Sequence, residues 1–324
     1  MKPKIYITRK IPDSTLQKLK EHCHVTMWEE EETPVPRDVL KEQLKTVDGL
    51  YCLLTEQIDS ELLKEAAQLK VISNMAVGFN NIDVEAASEK GIMVTNTPGV
   101  LTESTADLAF ALLMATARRI PESSEFLRTG KWKAWAPMML TGQDVFGATL
   151  GIVGMGRIGE GVARRAKGFD MEVLYHNRSR KPDVESQLGV TYVELEELLK
   201  QSDYVMILVP FSEETKNLIS EKELSLMKET SILINVARGG IVNEHDLYHA
   251  LKDQKIWAAG LDVFEQEPVS LNHPLLSLPN VVVLPHIGSA SIKTRIKMSE
   301  LAAENLLQAL AGNTPQHLVN KELL

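Results

Sequence analysis

The segment TLGIVGMGRIGEGVARRA, residues 149 to 166, constrains the fold more than any other stretch of the chain. An apolar run ends at Gly154, Gly156 and Gly159, spaced G-x-G-x-x-G, and an amphipathic run follows. A second apolar run, EVLYH, comes next, so the order is strand, glycine turn, helix, strand. That order is the βαβ unit that cradles a dinucleotide. Gly154 permits the tight turn, Gly156 lets backbone N–H groups approach a pyrophosphate, and Gly159 lets the helix pack on the strand. The helix start adds partial positive charge and unpaired donors for the phosphates. Gly154, Met155, Gly156, Arg157, Ile158 and Gly159 form the candidate phosphate loop. A glycine turn without a ligand is the alternative, and the flanking strands argue against it.

Short β-branched runs alternate with amphipathic ones on both sides of this loop. Before it, KIYIT, VDGLYCLL, KVISNMA and IMVTN read as buried strands, and IPDSTLQKLKEH, SELLKEAAQ and DVEAASEKG as the helices between them. A long helix is predicted from about Thr102 to Arg128, its surface kept small by Ser104, Ala106, Ala109, Ala111 and Ala115. From there TLGIVG, EVLYH, YVMILV, SILINV, AAGLDV and VVVLP supply six further strands, and a last helix spans about Ile292 to Leu310. The fold class is α/β: two doubly wound, Rossmann-like domains built on parallel sheets. The final helix follows the last strand and is free to return to the first domain. The expected boundaries are 1–99 plus 288–324 for a discontinuous substrate domain and 100–287 for the dinucleotide domain.

Composition removes several classes of function. The net charge is −9, which argues against non-specific binding to nucleic acid or to an anionic membrane. Two cysteines, Cys23 and Cys52, stand in no metal-ligand spacing, so neither a disulfide framework nor a structural metal is expected. The opening MKPKIYITRKIPDS turns polar too soon for a signal peptide, and LAFALLMATA is about half the length of a membrane span. A cytoplasmic protein is expected. The acidic run EEEET (29–33) reads as a solvated loop.

The end of the second strand faces the adenosine ribose in such a unit, and a carboxylate there selects NAD. Here Asn177 occupies the acid position, followed by Arg178, Ser179 and Arg180. A neutral residue followed by arginines suits a 2′-phosphate, which a carboxylate would repel and planar guanidinium groups bind. The segment therefore points to NADP, with NAD the alternative. A solvated basic loop is the bland reading of the same residues.

Three ionisable residues fall at or beyond strand ends, where ligands bind in open α/β sheets. Arg238 follows SILINV beside two glycines, Glu267 sits in a turn before Pro268, and His286 follows VVVLP. Reduction of a ketone needs a proton for its oxygen, and an imidazolium is the usual donor. A carboxylate orients the ring and stabilises its cation, and an arginine clamps the carboxylate of an oxo acid. Each residue alone has a structural reading; as a set beside a dinucleotide loop they read as catalytic.

The motifs GIVGMGRIGEGVARRAKGF, VPFSEETKNLI, LINVARGGIVNEHDL, AAGLDVFEQEP and LPHIGSAS, in this order, resemble the D-isomer-specific 2-hydroxyacid dehydrogenase family over essentially the whole chain. Within it the chain looks most like the glyoxylate/hydroxypyruvate reductases, with the 2-ketogluconate reductases close behind. The resemblance implies a cleft between two α/β domains and reduction of a small 2-oxo acid by NADPH. It implies His286 as acid/base, Glu267 as its partner and Arg238 as the substrate-binding arginine. Backbone amides at Val77 and Gly78 would hold the substrate carboxylate, and Leu53 would touch the substrate. Val209, Pro210 and Thr215 would line the adenosine side, Asp262 would lie near the nicotinamide, and Val236, Ala237 and Gly288 would complete the cofactor site. In this branch a tryptophan from GKWKAWAPMMLTG reaches a neighbouring active site across a homodimer; Trp132 and Trp135 are the candidates, Trp135 preferred, and the small-residue helix after Thr102 would form the contact. The same scaffold also serves NAD(H)-sensing corepressors, so a binding role is the rival from another class.

Overall fold

The computed structural model of the chain describes residues 2–323, so the terminal positions 1 and 324 of the expected boundaries lie outside the described residues. The chain divides into two compact units, Met1–Leu101 with Ala290–Leu324, and Thr102–Ser289. Each is built on one parallel sheet.

The first unit holds strands β1 (Lys4–Ile7), β2 (His24–Met27), β3 (Gly49–Cys52), β4 (Val71–Asn74) and β5 (Met93–Thr95), in the order β2-β1-β3-β4-β5. Every pairing is parallel. β3 and β4 are buried at every position, as continuous apolar runs require. β2, HVTM, was not among the expected strands; it is a half-exposed edge and carries no such run. Helix Ile292–Leu310 lies on this unit's sheet, where Leu306 and Leu310 fill the space over Gly49 and the Ser73 hydroxyl donates to the Ala302 carbonyl at 2.7 Å.

The second unit holds β6 (Thr149–Val153), β7 (Glu172–His176), β8 (Thr191–Tyr192), β9 (Tyr204–Ile207), β10 (Ile232–Asn235), β11 (Ala258–Leu261) and β12 (Val281–Val283). The order is β12-β11-β10-β9-β6-β7-β8, all parallel. The strand order reverses between β6 and β9, the switch point at which such sheets open a ligand crevice.

The predicted helix from Thr102 to Arg128 is two helices, Thr102–Ala117 and Ile120–Arg128. Arg119 between them is left-handed, with φ 52°. The cause is a contact from further along the chain: the N–H of Gln143 takes the Ala117 carbonyl at 2.9 Å, and a Cβ at Gly142 would overlap that same oxygen. Pro121, at the first turn of the second helix, suits the restart. The small residues Ala106 and Ala109 face inward, fully buried in this unit's own core, where Ala106 lies against Gly161 of helix Arg157–Ala166. Of the other small residues of this helix, Ala111 is exposed and Ser104 and Ala115 are half-buried.

Candidate active site

The glycine loop joins β6 to helix Arg157–Ala166 at the switch point. Its three glycines answer to different constraints. Gly154 has φ 110°, and a Cβ there would lie 2.6 Å from the Val209 nitrogen. A Cβ on Gly159 would meet the Gly154 carbonyl at 2.5 Å. Gly156 has an ordinary φ of −87° and nothing within 4 Å of the place its Cβ would take. Nothing in the fold needs glycine there; a ligand approaching the backbone does. The residues therefore fit a pyrophosphate at the start of this helix.

Asn177 sits just beyond β7 and points its Oδ1 at the loop, accepting from the Met155 N–H at 2.7 Å. The acid position thus holds a neutral side chain that ties down the phosphate loop. Arg178 is largely exposed and meets Glu214 at 3.0 Å. Arg180 makes two bonds to Glu185, 2.8 and 2.7 Å, and these, with the Tyr175 hydroxyl, pull the Glu185 carboxyl down to about 2. Ser179 is exposed beside them. Thr215 closes its own loop by donating to the Pro210 carbonyl at 2.8 Å, while Val209 is half-buried.

The three chemical residues of the second unit converge. His286 follows β12 in a left-handed turn, φ 56°, and its Nδ1 lies 2.6 Å from Glu267 Oε2. Its other ring nitrogen lies 3.4 Å from the Arg238 guanidinium. Asp262, just past β11, fixes the turn from below. Its backbone carbonyl accepts from the His286 N–H, and its two carboxylate oxygens accept from Ile287 and Gly288 at 2.7 and 2.8 Å. Burial raises the Asp262 carboxyl, more than those amides and His286 lower it. Burial also raises Glu267, but there the bond and charge of His286, the Phe264 N–H and Arg238 win, and it ends below its ordinary value. Burial lowers Arg238, against the pull of Glu267.

Sequence reading passed over the supports. Asn235 closes β10, nearly fully buried; its Oδ1 accepts from Ala237 N–H at 3.1 Å and its Nδ2 donates to the Arg238 carbonyl at 3.0 Å. Val236 beside it is buried. Gly239 is required because a Cβ would overlap the Phe264 carbonyl, and this contact sets the Arg238 loop against the Glu267 turn. Glu244 holds that turn from the far side, accepting from Glu265 N–H at 2.6 Å and meeting His273 at 3.0 Å. A buried amide ending an apolar run was the available signal for Asn235.

Leu53, Val77 and Gly78 lie in the first unit, all half-buried, on turns that follow β3 and β4. Trp132 and Trp135 are 52% and 76% exposed in the segment after helix Ile120–Arg128. Cys23 and Cys52 are buried and unpaired. No helix among the described residues is long and apolar enough to cross a membrane.

Residues 110–288 match the family model for the NAD-binding domain of D-isomer-specific 2-hydroxyacid dehydrogenases. The chain is 53% identical over 325 residues to a glyoxylate reductase of Korarchaeum cryptofilum, covering 100% of this chain and 98% of that protein. It is 51% identical over 328 residues to a glyoxylate reductase of Thermococcus onnurineus, with the same coverage. Among solved structures, an NADPH-dependent glyoxylate/hydroxypyruvate reductase from Sinorhizobium meliloti, in complex with NADP and malonate, superposes with a TM-score of 0.87 at 33% identity, covering 99% of this chain and 97% of that one.

Proposed function

The chain belongs to the D-isomer-specific 2-hydroxyacid dehydrogenase family, a nicotinamide-dependent oxidoreductase acting on CH–OH groups, and on that premise we propose that it reduces glyoxylate and hydroxypyruvate with a preference for NADPH. The balanced reaction is 2-oxo acid + NADPH + H⁺ → D-2-hydroxy acid + NADP⁺. The observation that carries it is the His286 ring held between Glu267 at 2.6 Å and Arg238 at 3.4 Å. When bound, the dinucleotide supplies the hydride. His286, protonated and oriented by Glu267, gives its proton to the carbonyl oxygen from Nε2. Arg238, pressed by burial and always cationic, binds the substrate carboxylate and polarises the carbonyl. Val77 and Gly78 supply backbone donors to that carboxylate, and Leu53 packs against the substrate.

The phosphate loop, Asn177 and the basic run hold the dinucleotide. Arg178, largely exposed and paired only at the surface with Glu214, is the residue best able to turn to a 2′-phosphate, because Arg180 is already engaged by both oxygens of Glu185. Val236, Ala237, Val209, Pro210, Thr215 and Gly288 complete the cofactor residues, and Asp262 acts by holding the His286 turn. We further assign a homodimer. Ile120, Leu127, Trp132, Trp135, Met138 and Phe146 are each more than half exposed, and apolar side chains left in water in such numbers are what an interaction surface supplies. Trp135 is the candidate to reach the neighbouring site. Light scattering on the purified protein tests the dimer.

The test of function is a panel of glyoxylate, hydroxypyruvate and 2-ketogluconate against NADPH and NADH. The expected result is turnover of the first two, with the higher kcat/KM for NADPH. In Arg178→Ala, kcat/KM for NADPH falls by about tenfold or more, as loss of one charge-assisted phosphate bond implies, while that for NADH hardly changes. A higher kcat/KM for NADH in the parent chain refutes the NADPH preference; absence of turnover with every oxo acid refutes the enzyme.

A further inference from the structure

The first unit contains a chain of buried polar side chains that the reaction above does not use. Glu56 is 4% exposed. One of its carboxylate oxygens accepts from the Leu53 N–H at 2.8 Å and the Thr8 hydroxyl at 2.6 Å, and the other from the Thr55 hydroxyl at 2.6 Å and Arg9 at 3.2 Å. Asn81, 5% exposed, donates from Nδ2 to the Leu53 carbonyl at 3.1 Å and to the Glu56 carbonyl at 3.0 Å. Its Oδ1 accepts from Asn74 Nδ2 at 3.3 Å, and that same nitrogen donates to the Gly78 carbonyl at 2.9 Å. Asn96 Nδ2 takes the Val77 carbonyl at 2.8 Å.

Leu53 is thus gripped by its N–H and its carbonyl, and the Val77–Gly78 turn by both its carbonyls. The link between the two runs through Asn81 and Asn74. β3 and β4 are already paired in the sheet, so the strands themselves do not require it. Burying a carboxylate and two amides is costly unless every group is bonded, and a fully bonded network makes its surroundings rigid. What this one makes rigid is the spacing of two backbone turns.

We propose that Asn81, with Glu56 and Asn74, is a positioning residue that sets the distance between Leu53 and the Val77–Gly78 turn and thereby the affinity for the oxo acid. This rests on the function proposed above. A displacement of about 1 Å in a binding group can cost up to about a hundredfold, so loss of one member should cost less, on the order of tenfold.

The experiment is steady-state kinetics of the full chain with glyoxylate, alongside thermal unfolding. In Asn81→Ala, KM for glyoxylate rises about tenfold, equivalent to 1.4 kcal/mol, while KM for NADPH and kcat stay within about threefold. Asn320→Ala is the control for a purely structural loss. Asn320 is 1% exposed in the same unit and binds Val94 N–H and the Ile92 carbonyl, so it lowers Tm without moving KM. If Asn81→Ala does not fold, Glu56→Gln, which removes a charged acceptor from the Leu53 side, carries the same test. An unmoved KM for glyoxylate in an otherwise active enzyme overturns the inference, as does an equal rise in Asn320→Ala. A parent chain that turns over no oxo acid overturns the functional reading and this inference with it.

Discussion

Replacing Glu267 by Gln changes one charge in the site and almost no volume. In the native chain Oε2 meets His286 Nδ1 at 2.6 Å and Oε1 accepts from the Phe264 N–H at 3.0 Å. Glutamine has a single carbonyl oxygen and cannot serve both; if it keeps the ring, its NH₂ faces the Phe264 N–H. The site therefore loses one charge-assisted bond to the imidazolium, worth about 1.5–3 kcal/mol. The side chains are 23% and 29% exposed, sheltered enough for most of that value to survive screening. Expressed as rate, reduction at pH 7.5 slows by about 10- to 150-fold. The assay is kcat for glyoxylate from pH 5 to 9, parent against variant. Glu267 lies below its ordinary 4.5, so it stays ionised over that whole range in the parent. Its lowered value also fixes the sign for stability: the pair's contribution is fully present above about pH 4.5 and is lost as pH falls through the lowered value. A Gln variant slowed by less than threefold at pH 7.5 refutes the role of the Glu267 carboxylate in holding the His286 ring.

The two outer glycines of the loop and the middle one should separate cleanly. Gly154→Ala, forced into φ 110° against the Val209 nitrogen, loses thermal stability, whereas Gly156→Val keeps Tm within a degree or two and loses NADPH binding by about a hundredfold or more, read by fluorescence titration. Asn235→Ala strands the Ala237 N–H and the Arg238 carbonyl, costs about 2–4 kcal/mol, and lowers Tm by about 5–10 °C in differential scanning calorimetry, with kcat/KM falling as Arg238 shifts.

Much of this architecture is legible because buried parallel strands are continuous apolar runs. β3, β4, β6, β9, β10 and β11 all announce themselves that way. The two missed strands, β2 and β8, are sheet edges of four and two residues, where half-exposure removes the pattern. The break at Arg119 depends on a chain segment more than twenty residues on, capping Ala117, and local periodicity carries no trace of it. The basic run after β7 has partners that lie partly outside it. Its letters promise free positive charge, yet Arg180 is held by Glu185 and Arg178 meets Glu214 from another loop.

The supports of the site were legible in a form that positional reading of charges overlooks. β4 ends VISN and β10 ends ILIN. An amide inside a buried strand is costly unless bonded, and the strand's own ladder leaves it no side-chain partner. At the carboxyl end it finds one in the loop that follows. Asn74 reaches the Gly78 carbonyl four residues on, and Asn235 the Arg238 carbonyl three residues on. In open α/β sheets such loops lie at the edge where ligands bind, so on the function proposed above the amide that relieves its own burial also fixes backbone that would meet the oxo acid. The same device in both units explains why the loops after β4 and β10 can be short on regular structure yet fixed in place. It also marks Asn74 and Asn235 as residues whose loss should disturb the backbone of the loops that follow their strands.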